Sequence, residues 1–116
     1  MITNFETITE ELTDEEKKII PLLIKGFPKY TKDNPIKAPE VIRRFNEKGY
    51  KLQEPRLRKM VNFIRSKGIL PLMGTSKGYY VSYDKNEINL QIKSLRERAD
   101  SIYNSAQGLN KFLNYE

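Results

Sequence analysis

The last quarter of the chain contains a repeat of apolar residues whose spacing places them all on one side of a helix. From residue 88 to residue 113, eight apolar side chains follow one another at alternating spacings of four and three residues. This spacing is the heptad repeat of helices that pair. The repeat predicts one long helix to about residue 113 within the segment 84–116, capped by Asp84 with Glu87 three residues on. Its apolar stripe is Ile88, Ile92, Leu95, Ala99, Ile102, Ala106, Leu109 and Leu113.

Residues 13–83 predict three helices followed by a β-hairpin, after a flexible lead-in over residues 1–12. Thr13 and Glu16 form a capping box for the first helix, in which Pro21 predicts a kink or a split into two. The loop 27–37 contains two prolines and separates this helix from the second. We expect the second helix at 39–48, ending before Gly49, and the third at 55–67, ending before Gly68.

The predicted hairpin consists of two short apolar runs, 69–73 and 79–83, joined by the polar loop 74–78. Pro71 cannot donate a ladder hydrogen bond, so the first strand should be short or lie at an edge. The fold class predicted is therefore α+β, mainly α. It is a three-helix winged helix-turn-helix with one β-hairpin wing, followed by the long heptad helix.

Composition excludes several classes of function. The chain has no Cys and no His, so disulfide frameworks, zinc fingers and Cys/His or Ser/His catalytic groups are ruled out. The acidic residues are not clustered, and we expect no enzyme activity, no metal, no cofactor and no small-molecule substrate. No apolar run is long enough for a bilayer, and residues 1–11 lack the pattern of a signal peptide. We therefore expect a cytoplasmic protein that does not act at a membrane.

The positive charge is concentrated in the middle of the sequence. The chain has 21 Lys+Arg against 15 Asp+Glu, a net charge of +6. Residues 38–83 alone hold ten basic and three acidic groups, which is +7, whereas residues 84–116 hold five of each. A local excess of this kind is typical of a protein that binds a polyanion, although a solvated basic surface gives the same numbers.

The third helix has a face suited to reading DNA. On a helical wheel, Leu57, Met60, Val61 and Ile64 form a compact apolar face, and polar or cationic groups lie opposite or flank them. Arg and Lys bond guanine or phosphate, and Asn pairs with adenine. The predicted DNA-binding residues of this helix are Arg56, Arg58, Lys59 and Asn62, and those of the wing are Thr75, Ser76 and Lys77. The alternatives are a solvated helix face and an ordinary hairpin turn.

The stretch from Leu57 to Val81 resembles the winged-helix domain of biotin-operon-repressor type. The resemblance rests on Ile64-Arg65-Ser66-Lys67-Gly68, an apolar strand, and Gly78-Tyr79-Tyr80-Val81. Small proteins with this arrangement of elements resemble many that phages and other mobile elements encode. This resemblance implies a role in the control of transcription or replication. The chain departs from the family at Glu54-Pro55, where a polar pair such as Ser-Arg often opens the recognition helix. A carboxylate there repels phosphates.

Two functions from different classes follow. The first is a double-stranded DNA-binding protein, dimeric through its C-terminal helix, since DNA readers with a heptad helix usually bind two half-sites. The second is a protein-interaction module that meets an acidic partner, which Glu54 and the aromatic Phe63 on the reading side would favour. The heptad stripe also has two readings, because the helix could pair with a second copy or fold back onto the three-helix core.

Overall fold

The first helix, α1 (Asp14–Gly26), begins directly after Thr13 in the computed structural model, which describes residues 11–113. The Glu16 N–H donates to Thr13 Oγ1 at 3.1 Å, and the Thr13 N–H donates to Glu16 Oε1 at 2.8 Å. The predicted capping box is thus confirmed. Pro21 lies on the exposed side of α1 and does not split it into two helices. The predicted lead-in lies outside the described residues apart from residues 11 and 12.

Two further helices follow, α2 (Ala38–Glu47) and α3 (Glu54–Ser66), and each begins one residue earlier than predicted. Two residues after the end of each helix is a glycine in the left-handed region, with φ of 93° at Gly49 and 65° at Gly68. The Tyr50 N–H donates to the Phe45 carbonyl, and the Ile69 N–H donates to the Ile64 carbonyl. These bonds satisfy carbonyls of the last helical turn, so the two predicted glycine caps are confirmed.

The hairpin consists of β1 (Leu72–Thr75) and β2 (Gly78–Val81), paired antiparallel with Leu72 opposite Val81. Its turn contains only Ser76 and Lys77, so the predicted five-residue loop is wrong. Residues 69 and 70 also lie outside the strand predicted for them. They follow the helix cap and precede Pro71, and β1 begins only after that proline, which is the short strand that Pro71 predicts.

The loop between α1 and α2 is joined to the hairpin by backbone hydrogen bonds. It opens with a 3₁₀ turn (Phe27–Lys29), and further along Ile36 pairs with Tyr79 of β2. The Ile36 N–H donates to the Tyr79 carbonyl at 2.9 Å, and the Tyr79 N–H donates back at 2.7 Å. Gly78 has a φ of 129°, and a Cβ at this position would lie 2.6 Å from the Ile36 carbonyl oxygen. The pairing of loop and hairpin therefore requires glycine at position 78.

We expect Gly78→Ala to lower the free energy of unfolding by about 1–3 kcal/mol, because it adds backbone strain and a clash with Ile36. The matched control is Gly26→Ala. Gly26 has right-handed helical angles, and a Cβ there meets no atom within 4 Å. The control should leave stability unchanged or raise it by up to about 1 kcal/mol. Urea denaturation of both variants measures the difference, and equal midpoints would contradict the account.

The core of residues 11–83 lies between the three helices and β1. The apolar face predicted for α3 is confirmed, since Leu57, Met60, Val61 and Ile64 are at most 2% exposed. It packs with the apolar face of α1, with Leu52 and with the first strand. The core comprises Ile19, Ile20, Leu23, Phe27, Ile36, Val41, Leu52, Leu57, Met60, Val61, Ile64 and Leu72.

Among the described residues, 84–113 belong to a second unit that contains one helix, α4 (Lys85–Asn110). Asp84 Oδ1 accepts from the Glu87 N–H at 3.0 Å, so Asp84 is the N-cap as predicted. The helix ends at Asn110, and Leu113, predicted as the last member of the apolar stripe, lies in a turn beyond it. No residue of α4 is buried. The fold is α+β and mainly helical, with four α-helices and one two-stranded hairpin in the described residues.

Candidate nucleic-acid interface

The outer face of α3 presents three of the four residues predicted for it. Arg58 and Asn62 are exposed, and Lys59 is half-buried. Val61 and Met60, their neighbours in sequence, are buried in the core, and this holds the helix in one rotation about its axis. The order of apolar and polar residues in α3 therefore decides which cations and amides face outward.

Arg56, the fourth predicted residue, is not on this face. Its side chain is 11% exposed, and its Nε donates to Glu16 Oε2 at 2.6 Å. Its Nη2 donates to Glu16 Oε1 at 2.5 Å and to the Glu11 carbonyl at 2.8 Å. On the wheel, Arg56 lies beside Met60, on the side of α3 that packs against the first turn of α1. The prediction that Arg56 is available to DNA is wrong, because its guanidinium holds α1 and α3 together.

Arg58 forms a salt bridge with Glu54 of the same helix. Its Nη2 donates to Glu54 Oε1 at 2.5 Å, one helical turn earlier, and about half of each side chain is exposed. An exposed pair of this kind contributes only about 0–1 kcal/mol, so the guanidinium can exchange Glu54 for a stronger anion. Glu54, the residue at which the chain departs from the family pattern, thus screens Arg58 in the absence of a ligand.

Lys59 and Asn62 have no hydrogen-bond or ion-pair partner in the stretch that the structure describes. Phe63, on the same side of the helix, is half-buried and packs against the core, and the Lys67 ammonium lies 5.9 Å from its ring centre. Phe63 is therefore accounted for by packing and by a cation–π contact. The groups that remain available to a ligand on this face are an ammonium and an amide, beside the screened guanidinium.

The hairpin turn presents all three residues predicted for the wing. Thr75, Ser76 and Lys77 are exposed. The Thr75 hydroxyl accepts from the Lys77 N–H at 3.1 Å and donates to the Gly78 carbonyl at 3.4 Å. These bonds fix the shape of the turn and use the hydroxyl proton of Thr75. The Ser76 hydroxyl and the Lys77 ammonium are left as side-chain donors at the tip.

Arg65 has a positioning role that the analysis of the sequence did not identify. Its Nε donates to the Leu72 carbonyl at 2.7 Å, and this bond joins the last turn of α3 to the first residue of β1. A Cβ on Gly74 would lie 2.9 Å from Arg65 Nη2, so the small residue leaves room for the guanidinium. The sequence did contain a signal for this role. Arg65 belongs to the segment Ile64-Arg65-Ser66-Lys67-Gly68, on which the resemblance to winged-helix domains rests.

The described residues, 11–113, contain no group of three or more acidic side chains placed to hold a metal ion. A search of the same residues finds no helix with the length and apolarity needed to cross a membrane. The donors on α3 and at the turn are cations, amides and hydroxyls, which can bind anions and base edges.

Comparison of the chain with family models, curated protein sequences and solved structures finds no match.

Proposed function

We propose that the chain is a double-stranded DNA-binding protein of winged-helix plan. The single observation that carries the proposal is the outer face of α3, where Arg58, Lys59 and Asn62 point away from a tightly packed core. These are the side-chain types that bond guanine, phosphate and adenine. They belong to the segment 38–83, whose net charge is +7.

The arrangement of the elements supports the same proposal. Three helices are followed by a hairpin, and the segment between the first two helices pairs with the hairpin through Ile36. This order is typical of winged helices. In that plan α3 is the recognition helix, which inserts its N-terminal residues into the major groove, and the hairpin is the wing. Ser76 and Lys77 then contact the sugar-phosphate backbone, which fixes register without reading bases.

The second unit completes the proposal as a dimerisation helix. A single helix cannot bury its own apolar stripe, and a second copy of α4 would cover it. Two copies would present two α3 helices to two half-sites. The resemblance to small phage and mobile-element proteins suggests that this DNA binding serves control of transcription or replication.

The competing proposal, a module for an acidic protein partner, loses its two supporting features. Phe63 packs against the core rather than standing free as an interface anchor, and Glu54 is paired with Arg58. The outer face of α3 then offers only polar and cationic groups, which fit a nucleic acid better than an aromatic-rich protein interface.

We expect Arg58→Ala and Lys59→Ala to weaken binding to duplex DNA by about 1–3 kcal/mol each if they contact bases. Asn62→Ala should relax the preference for adenine at one position. Lys77→Ala, which removes a phosphate contact, should make the salt dependence shallower by about one unit of log–log slope. Fluorescence anisotropy across a salt series measures all four variants, with Lys18→Ala, an exposed lysine of α1, as the control.

Glu54→Gln tests the same face with the opposite sign. It frees Arg58 and removes a carboxylate that repels phosphates, so the affinity for DNA should rise several-fold. Glu97→Gln on α4, an equal change of charge, should leave affinity within about two-fold. The site would be wrong if the α3 variants bind like the wild type and Glu54→Gln gives no gain.

A further inference from the structure

A groove of about 350 Å³ opens where the C-terminal end of α1, the 3₁₀ turn and α2 meet. Its floor is apolar and belongs to the core of residues 11–83. Four of the floor residues, Leu23, Phe27, Ile36 and Val41, are at most 6% exposed. None of the residues that line the groove belongs to α3 or to the hairpin.

The rim of the groove carries four cations, Lys25, Lys29, Arg44 and Lys48. No residue that lines the groove is acidic. The three lysines are exposed, and none of them forms an ion pair within residues 11–113. An apolar floor under a rim with three lysines that have no counterion among the described residues is complementary to a molecule with an apolar body and a negative end.

Arg44, at the opening of the groove, is held in place by hydrogen bonds to Glu40 and Tyr30. Its Nε donates to Glu40 Oε2 at 2.9 Å, and its Nη1 donates to the Tyr30 hydroxyl at 2.5 Å. Hydrogen bonds from Arg43 and Arg44 lower the pKa of Glu40 to about 2, so its carboxylate stays ionised below its usual pKa of 4.5 as well. The hydrogen bond to the Glu40 carboxylate also raises the pKa of Arg44. Tyr30 and Glu40 therefore hold the guanidinium in one place without closing the groove.

We propose that this groove binds a small amphipathic anion, an apolar chain or ring of roughly ten non-hydrogen atoms that ends in a carboxylate. The volume of about 350 Å³ suits a small ligand. It lies at the lower end of the range of ligand pockets, roughly 300–1,000 Å³. A protein partner would need about 800 Å² on this chain, more than a groove of this size supplies. The site is separate from the DNA-binding face and does not depend on it.

The test is an NMR titration of the ¹⁵N-labelled full chain with sodium octanoate. We expect saturable shifts at amides around the groove, with a Kd on the order of 1 mM for a ligand of about ten atoms. Octan-1-ol has the same chain without the charge and should bind at least about five-fold more weakly. Octyltrimethylammonium, with the opposite charge, should give no saturable shift. Equal binding of octanoate and octan-1-ol would overturn the proposal, as would shifts spread over the whole chain.

Two sets of variants assign the binding to the groove. Gly26 lines it, and a Cβ there meets no atom within 4 Å, so Gly26→Phe can fill the cavity without backbone strain. This variant should abolish octanoate binding, whereas Gly108→Phe, the same change in an open position of α4, should not. Replacing Lys25, Lys29 and Lys48 together by Gln should weaken binding at least five-fold. The same replacement at Lys17, Lys18 and Lys93 is the control for net charge, and equal losses in both triple variants would overturn the proposal.

Discussion

Replacing Arg56 by Ala is expected to lower the free energy of unfolding by about 3–5 kcal/mol, because the carboxylate of Glu16 is then left buried without its partner. The two side chains are only 11% and 8% exposed, and they join residues 40 positions apart in the sequence. Chemical denaturation followed by circular dichroism measures the loss. The exposed pair of Arg58 and Glu54 provides the control, since Arg58→Ala should change stability by only about 0–1 kcal/mol.

A double-mutant cycle measures the interaction energy between Arg56 and Glu16 apart from the other contacts of each side chain. Glu16→Leu, the second single change, also removes the capping-box acceptor of the Thr13 N–H. The variant that combines Arg56→Ala with Glu16→Leu leaves neither charge buried alone, so it should be more stable than the sum of the two single changes predicts. If the two changes add with no coupling, the buried pair does not join α1 to α3 as described.

The pair of Arg56 and Glu16 also makes the free energy of unfolding depend on pH in the acid range. The hydrogen bond from Arg56 holds the pKa of Glu16 below its usual value of 4.5 in the folded chain. A carboxyl whose pKa is lower in the folded state contributes stability that is complete above the unfolded pKa. The contribution is lost as the pH falls below 4.5 and through the folded pKa. In Arg56→Ala this part of the acid-induced loss should be smaller.

The second large effect concerns the apolar stripe of α4. We expect Leu95→Glu combined with Ile102→Glu to convert the proposed dimer into a monomer, because two charges then face a seam that needs apolar contacts. The matched control is Ser94→Glu with Ser101→Glu, which adds the same charge to the same helix outside the stripe. Sedimentation velocity over a range of concentrations distinguishes the two variants, and circular dichroism checks that residues 11–83 remain folded.

Loss of the proposed dimer should reduce DNA affinity about as much as the largest effect expected of a single change on α3, or more. Two linked reading helices bind a long duplex with an effective concentration in the millimolar range. The monomeric variant should therefore bind a random duplex of about 30 base pairs at least about 100-fold more weakly. A wild-type chain that is monomeric at every concentration would contradict dimerisation through α4.

Local signals in the sequence predicted most of the elements. Thr13 with Glu16, and Asp84, fixed two helix starts, and Gly49 and Gly68 fixed two helix ends. These positions are decided by hydrogen bonds within one turn of helix, which a sequence displays directly. The apolar face of α3 was predicted for a similar reason, since a period of 3.6 residues gathers it on one side.

Contacts between distant parts of the chain were not predictable in this way. Ile36 pairs with Tyr79 although its loop shows no strand pattern, and the hairpin turn is shorter than its glycines suggested. Arg56 was assigned to DNA because a wheel shows where a residue lies on its own helix but not which neighbour covers that side. Its partner, Glu16, comes from α1, and nothing local to α3 reveals it.

The most direct test of DNA binding is the affinity of the wild-type chain for a random-sequence duplex over roughly 50 to 200 mM salt. Each phosphate contact contributes about −0.9 to the slope of log affinity against log salt. On random-sequence DNA these cations bind phosphates, so Arg58, Lys59 and Lys77 of one chain predict a slope of about −3, and the same residues of a dimer predict about −5. The Kd expected for non-specific binding at low salt is in the micromolar range. An absence of binding at the lowest salt would contradict the account and would favour an acidic protein as the partner of the basic segment.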